Sequence, residues 1–194
     1  MSFAASVSHL QTLVLSFHPV IVMETVEEER VEALIHGACK DLQMAVFEWS
    51  VAQGLVRSPS SPSNRWQNEY APPGGQRNQA IGKTTEPLDM LRHIQDMSFK
   101  AIYWLKDFAH HLKDPVVARQ FREVAEQFSH NQSTLIVSGE GISLPASISH
   151  DAFYFDIKLP EPEELYGAVS DVVRALRGRV KVELTPEDIH ALVK

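Results

Sequence analysis

Residues 19–35 have the sequence PVIVMETVEEERVEALI, and this stretch decides the fold. The unbroken apolar, β-branched run over 19–25 predicts a strand that is buried on both faces. The next segment predicts a helix over 26–42 with Thr25 as its N-cap, because apolar residues recur there at helical spacing. These apolar residues are Val31, Leu34, Ile35 and Ala38. A buried strand that leads directly into a helix is the first half of a βαβ unit.

The junction between this strand and this helix lacks the residues that bind phosphate. In nucleotide-binding α/β proteins, the junction carries a glycine-rich loop and a lysine. Here it carries four acids instead, which are Glu24, Glu27, Glu28 and Glu29. One carboxylate about 5 Å from a phosphate charge costs roughly 3 kcal/mol at an effective dielectric constant of about 20. We therefore predict that the first crossover does not bind ATP.

Length and composition indicate one globular domain. The chain has 194 residues, 44% of them hydrophobic, which is enough to bury a core. The formal charge of −7 argues against binding of nucleic acid or an anionic membrane through bulk charge. The single cysteine, Cys39, fits a reducing compartment. Because no long apolar run and no secretory signal is present, we predict no membrane insertion and a cytoplasmic location.

The rest of the chain alternates predicted strands with predicted helices. The strands are expected over 19–25, 44–51, 100–105, 133–138 and 152–157. The helices are expected over 3–17, 26–42, 87–97, 115–128 and about 160–176, with Thr85 as the N-cap of the third. This alternation predicts a three-layer α/β/α fold with a five-stranded, mostly parallel sheet.

Two segments depart from this alternation. Residues 58–84 are rich in Ser, Pro and Gly and have little apolar periodicity, which predicts a long flexible loop. We expect this loop to be inserted into one α/β domain that covers residues 1–178. Thr185 and Pro186 predict another helix start only about two turns before Lys194. We therefore expect residues 179–194 to be the start of a truncated helical appendage.

Five segments carry a resemblance to a known family. They are TVEEERVE (25–32), LKDF (105–108), DPVV (114–117), TLIVS (134–138) and LPEPEEL (159–165). With the order of the elements, they resemble the amino-terminal region of the cyanobacterial and plastid AAA-type ATPases first described as a hypothetical chloroplast reading frame. The resemblance implies a P-loop/AAA-like topology without the phosphate loop, in a degenerate module that precedes the working ATPase module. It also implies a role in photosynthetic or inorganic-carbon physiology.

Three polar residues support an alternative, a nucleotide-binding site of atypical composition. Lys83 lies in a Gly-Lys-Thr triplet, but Arg77 stands where the Walker A pattern needs its first glycine. By the resemblance, Asp107 ends a strand where a Walker B aspartate would hold magnesium, and Ser138 takes the place of the polar sensor residue. Phe108 stands where AAA enzymes keep a catalytic glutamate. We predict no catalytic residues, and ATP with magnesium would be cofactors only under this alternative.

Arginines supply the candidate residues for protein contacts. Three of them cluster at the end of the last long helix, and two lie on the helix predicted over 115–128. They are Arg174, Arg177 and Arg179, and Arg119 and Arg122, respectively. Histidines at 36, 110 and 111 and the cysteine at 39 lack a second pair at ligand spacing. We therefore predict no metal site.

These observations favour a non-catalytic AAA-like domain that acts in assembly or partner recognition for an AAA-type ATPase. The expected partner is another protein, its own ATPase module or a second copy of the chain. One alternative is the nucleotide-binding ATPase module with the atypical site. The other is a regulatory α/β domain that binds a small ligand, because parallel sheets bind ligands at the carboxyl ends of their strands in many families.

Overall fold

The computed structural model describes residues 2–58, 80–98, 100–158, 160 and 162–176, together with residues 188 and 191. The chain divides into two compact units. One is Val7–Ile157, and the other combines Met1–Ser6 with Lys158–Lys194. Most of the predicted 58–84 loop and the predicted boundary at 178/179 lie outside the described residues.

The helices and strands alternate along the chain as the sequence predicts. The helices are α1 (Phe3–Leu15), α2 (Glu28–Leu42), α3 (Pro87–Gln95), α4 (Pro115–Asn131), α5 (Ala146–Ser149) and α6 (Pro162–Leu176), with a 3₁₀ helix over Phe108–Lys113. The strands are β1 (Val20–Glu24), β2 (Ala45–Ser50), β3 (Gly54–Arg57), β4 (Ala101–Lys106), β5 (Thr134–Gly139) and β6 (Ala152–Tyr154).

The sheet has six strands in the order β3-β2-β4-β5-β1-β6, so the predicted number of five is wrong. All neighbouring strands are parallel except β3, which pairs antiparallel with β2. The extra strand escapes sequence analysis because it has only four residues and adjoins the polar segment. Residues distant in sequence hydrogen-bond to the outer edge of β3. Leu55 N–H donates to Thr84 Oγ1 (2.8 Å), and Ile81 N–H donates to Leu55 O (2.7 Å).

The two faces of the sheet pack against different helices. On one face, aromatic rings stack from the sheet onto α4, with Tyr103 between Phe47 (5.5 Å between ring centroids) and Phe128 (5.3 Å). Strand residues alternate between faces, so the neighbours of Tyr103 along β4 point to the other side. On that side Lys106 of β4 pairs with Glu28 of α2, whose apolar residues are buried. This confirms the predicted α/β/α layering.

Helix α2 begins later than predicted. Its first helical residue is Glu28 and its N-cap is Glu27, so the predicted cap at Thr25 is wrong. Thr25 Oγ1 instead accepts a hydrogen bond from Glu27 N–H (3.0 Å), which closes the turn before the helix. The predicted cap of α3 at Thr85 is also displaced, because Glu86 takes that position ahead of Pro87. In both cases an acid occupies the positive end of the helix.

The second unit contains α6. Glu163 and Glu164 lie in the first turn of this helix, and Glu164 Oε1 accepts a hydrogen bond from Phe3 N–H (2.7 Å). The amino-terminal residues are therefore tied directly to the start of α6.

Candidate functional site

The carboxyl ends of β1, β4 and β5 meet at one edge of the sheet. Thr25 N–H donates to Gly139 O (2.9 Å), and Asp107 N–H donates to Ser138 O (2.8 Å), which joins the three strand ends. From β1 the chain crosses β5 and β4 to reach β2, which lies on one side of β1. From β5 it later crosses β1 to reach β6 on the other side, so the winding direction reverses between β1 and β5. In open parallel sheets, ligands bind at such a switch point.

The turn from β1 into α2 faces this edge with carboxylates. Glu28 and Glu29 lie in the first turn of α2, directly after Glu27. A surface pocket of about 540 Å³ is lined by Val26, Glu27, Glu28, Glu29 and Arg30. The Val26 side chain at its rim is 73% exposed. Three of the four acids that the sequence shows in place of the phosphate loop thus line a pocket at the helix N-terminus, together with Arg30.

Lys106, at the end of β4, places its ammonium group next to two of the acids near this edge. Its Nζ lies 3.1 Å from Glu28 Oε2 and 3.3 Å from Glu48 Oε2. The same Nζ lies 4.0 Å from the centroid of the Trp104 ring, a cation–π contact. The Lys106 side chain is 22% exposed, so these contacts are partly shielded from water. This ammonium group is therefore engaged by protein groups.

Ser138 and Asp107 lie together, but their side chains have different roles. The Ser138 side chain is buried, and its Oγ accepts a hydrogen bond from Trp104 Nε1 (2.7 Å). Asp107 is exposed and has a left-handed backbone conformation (φ 54°) at the turn into the 3₁₀ helix. Phe108, which follows it, is fully buried. Ser138 thus holds a buried indole, whereas Asp107 presents a carboxylate at the edge.

Lys83 lies at a different part of the sheet. It is exposed, and its neighbour Thr84 contacts the β2–β3 edge, where Thr84 O accepts a hydrogen bond from Trp49 Nε1 (2.6 Å). Among the described residues, no contact joins Lys83 to Asp107 or Ser138. The structure therefore brings together two of the three residues of the atypical nucleotide site.

The predicted contact arginines differ in how they are engaged. Arg174 pairs with Asp171 (3.3 Å), and Arg119 pairs with Glu123 (2.8 Å). Arg122 has no ion-pair partner among the described residues. It lines a groove of about 390 Å³ together with Pro19, Ala125, Glu126, Ser129 and Asp151. Arg177 and Arg179 lie outside the described residues.

One cluster escaped sequence analysis. Glu32 and His36 on α2 and Glu48 on β2 place one ligand atom each within 4.8 Å of one another. The sequence contains one indication of this cluster, because Glu32 and His36 are one helical turn apart. Glu48 joins them only through the packing of α2 on the sheet. Cys39 is not part of this cluster. Burial raises the pKa of its thiol to about 11, so it is a poor nucleophile.

The fold and this edge define an AAA-like α/β domain whose first crossover lacks the phosphate-binding residues. Residues 6–157 match the family model described as SpoVK-like AAA ATPase, N-terminal domain, and the chain belongs to this family. The predicted relationship to an amino-terminal AAA-like region is thereby confirmed. None of the helices in the described part of the chain is long and apolar enough to cross a membrane.

Curated relatives are similar over most of the chain. The protein described as uncharacterized AAA domain-containing protein ycf46 from Pyropia yezoensis is 27% identical over 179 residues, which are 90% of this chain and 32% of the relative. Its counterpart from Guillardia theta is 25% identical over 166 residues, which are 84% of this chain and 29% of the relative. The chain thus spans about a third of the length of these relatives.

Solved structures share the fold. PCH-2 from C. elegans has a TM-score of 0.55 at 13% identity, over 92% of this chain and 49% of that chain. A chain of the E. coli MS115-1 HORMA:CdnC:Trip13 complex has a TM-score of 0.53 at 11% identity, over 96% of this chain and 61% of that chain. The predicted α/β, AAA-like fold class is therefore confirmed.

Proposed function

We propose that this domain is an AAA-like module that does not bind or hydrolyse ATP and that acts in assembly or partner recognition within a longer AAA-type ATPase. The observation that carries the proposal is the acid-lined pocket at the N-terminus of α2. In this fold, that helix end is the place where backbone N–H groups and the helix dipole would hold phosphate.

The charges at this edge oppose a nucleotide. Glu27, Glu28 and Glu29 line the pocket, and a carboxylate within about 5 Å of a phosphate charge would add a repulsion of roughly 3 kcal/mol at an effective dielectric constant of about 20. Lys106 could offset part of this repulsion, but its ammonium group already contacts Glu28 and Glu48. A phosphate would have to displace these contacts while approaching the remaining acids.

Calorimetric titration of ATP with magnesium into the 194-residue chain tests the first half of the proposal. We expect no saturable heat at about millimolar nucleotide. This result would mean a dissociation constant above about 1 mM, which corresponds to a binding free energy of less than about 4 kcal/mol in magnitude. Saturable micromolar binding would contradict the proposal and favour the atypical site. In that case Asp107→Ala should abolish the binding, whereas Asp96→Ala, at an exposed acid after α3, should leave it intact.

Arg122 is the described arginine best placed to contact a partner. It is exposed, it has no ion-pair partner among the described residues, and it borders a groove that also contains apolar atoms. We propose that the partner is the ATPase module of the same protein, because the curated relatives are about three times as long as this chain. The cytoplasmic location and the link to photosynthetic or carbon physiology belong to the same proposal and rest on the family resemblance.

Sedimentation velocity tests the second half of the proposal. The remainder of the Pyropia yezoensis relative, expressed separately, is expected to form a complex with this chain. Arg122→Glu should weaken this complex by about tenfold or more, since reversing one interfacial charge costs at least about 1.4 kcal/mol. Lys113→Glu, at an exposed lysine of the 3₁₀ helix, is the matched control and should bind as the wild type does. Equal affinity of the Arg122 variant and the wild type would reject this surface.

A further inference from the structure

Three side chains of metal-ligating types meet between α2 and β2. Glu32 and His36 are one turn apart on α2, and Glu48 faces them from β2. Their ligand atoms lie within 4.8 Å of one another. The Glu48 and His36 side chains are only 15% and 18% exposed, and the Glu32 side chain is 46% exposed. The cluster is thus partly shielded from water but open on the Glu32 side.

The hydrogen bonding of His36 directs one ring nitrogen at this cluster. Nε2 lies 2.8 Å from the Oγ of Ser58, whose side chain is buried. When Nε2–H donates to Ser58, the lone pair of Nδ1 faces Glu32 Oε1 at 3.8 Å, which is too long for a hydrogen bond. Two acceptors then face each other, and a cation between them satisfies both. Histidines that bind metals typically donate their other ring N–H to a carboxylate, a backbone carbonyl or water, and the Ser58 hydroxyl takes this place here.

We propose that Glu32, His36 and Glu48 bind a divalent transition-metal cation of the Zn²⁺ or Co²⁺ type. One imidazole nitrogen and two carboxylate oxygens suit these borderline ions, with water in the remaining positions, whereas Mg²⁺ and Ca²⁺ prefer oxygen ligands throughout. The ammonium group of Lys106 repels a cation at this site, since its Nζ lies 3.3 Å from Glu48 Oε2. Glu28, 3.1 Å from the same Nζ, shares this ammonium charge.

A cation at this position would tie α2 to the sheet. Its ligands come from the helix after β1 and from the strand that follows that helix. Binding would therefore stabilise the Val7–Ile157 unit, because an ion that binds only the folded state shifts the unfolding equilibrium. The metal site can be tested separately from the proposed function, since no residue that lines the acid-lined pocket is a ligand and Arg122 is not one either.

Two measurements on the 194-residue chain test the site. Titration with Co²⁺ is expected to give visible d–d absorption that saturates at one ion per chain, and calorimetry with Zn²⁺ should give the same stoichiometry. His36→Gln and Glu32→Gln should abolish both signals. Ser58→Ala, which removes only the partner of Nε2, should weaken binding by about tenfold. Because Glu32 is exposed, its variant is expected to fold even if the others are impaired, which circular dichroism would check.

The chain supplies a matched control. Glu126 and His130 on α4 have the same helical spacing as Glu32 and His36, but no third ligand joins them within the described residues. His130→Gln should therefore bind both ions as the wild type does. The proposal is overturned if the wild type gives no saturable signal. That is the result expected if His36 and Glu32 form only an imidazolium–carboxylate pair. It is also overturned if His36→Gln binds like the wild type, or if His130→Gln loses binding equally.

Discussion

Phe108→Ala is expected to lower the free energy of unfolding of the Val7–Ile157 unit by about 3–5 kcal/mol. The Phe108 ring is fully buried, 5.2 Å from the Trp49 ring and 5.6 Å from the Phe121 ring between centroids. Removing it leaves a cavity between two other large side chains on β2 and α4, and neither can move without breaking its own packing. The lost burial and the cavity therefore add to each other.

Urea unfolding followed by tryptophan fluorescence and circular dichroism measures this effect. Phe108→Leu keeps most of the apolar volume and should cost less than about 1.5 kcal/mol. Val116→Ala, at a residue that is 56% exposed, should change stability by no more than about 0.5 kcal/mol. A loss below about 1 kcal/mol for Phe108→Ala would mean that the ring does not support the core as described.

Phe108 lies in the core, at a position where the family resemblance places a glutamate. By the family resemblance, AAA enzymes keep a glutamate directly after the aspartate that here is Asp107. In this chain the side chain at that position points into the aromatic cluster, where a carboxylate would be buried without a partner at a cost of several kcal/mol. The Phe108 side chain thus packs in the core at this position.

The parallel part of the fold follows from local patterns in the sequence. The β-branched run at 19–25 and the helical spacing of Val31, Leu34 and Ile35 are sufficient to predict β1, α2 and their connection. Strand β3 could not be predicted in this way. Its edge is completed by Thr84, which is 29 residues from Leu55 in sequence, and a local pattern does not contain such a partner.

The candidate site was predictable where it depends on residue type alone. The acids at the β1–α2 turn are visible in the sequence, and the structure places three of them, Glu27, Glu28 and Glu29, around one pocket. The bridge from Lys106 to Glu28 and Glu48 was not predictable, because it joins three elements that are distant in sequence. The same reason explains why Glu48 was missed as a partner of His36. Contacts between helix and sheet depend on rotation and register, which residue spacing alone does not determine.

Gly139→Ala is expected to lower the free energy of unfolding of the same unit by about 1–3 kcal/mol and to disturb the edge of the sheet where the strand ends meet. Gly139 has φ +150°, a conformation that residues with a Cβ rarely adopt. An added Cβ would lie 2.7 Å from Asp107 Oδ1 and 3.4 Å from Asp107 Cα. The contact with Asp107 Cα is an ordinary van der Waals distance, and the Asp107 side chain can rotate away from the added Cβ. The backbone strain at Gly139 is therefore the main cost, and displacement of the Asp107 carboxylate adds a smaller one.

A double-mutant cycle separates these two causes. Gly141→Ala, at φ +59° with no other atom within 4 Å of the added Cβ, carries only backbone strain and should cost about 1 kcal/mol. Gly139→Ala should cost less in an Asp107→Ala background than in the wild type, by about 0.5 kcal/mol or more, because the contact with Oδ1 is then gone. Equal costs in the two backgrounds would assign the whole effect to the backbone of Gly139. A Gly139→Ala variant as stable as the wild type would contradict the strained backbone conformation of Gly139 at the end of β5.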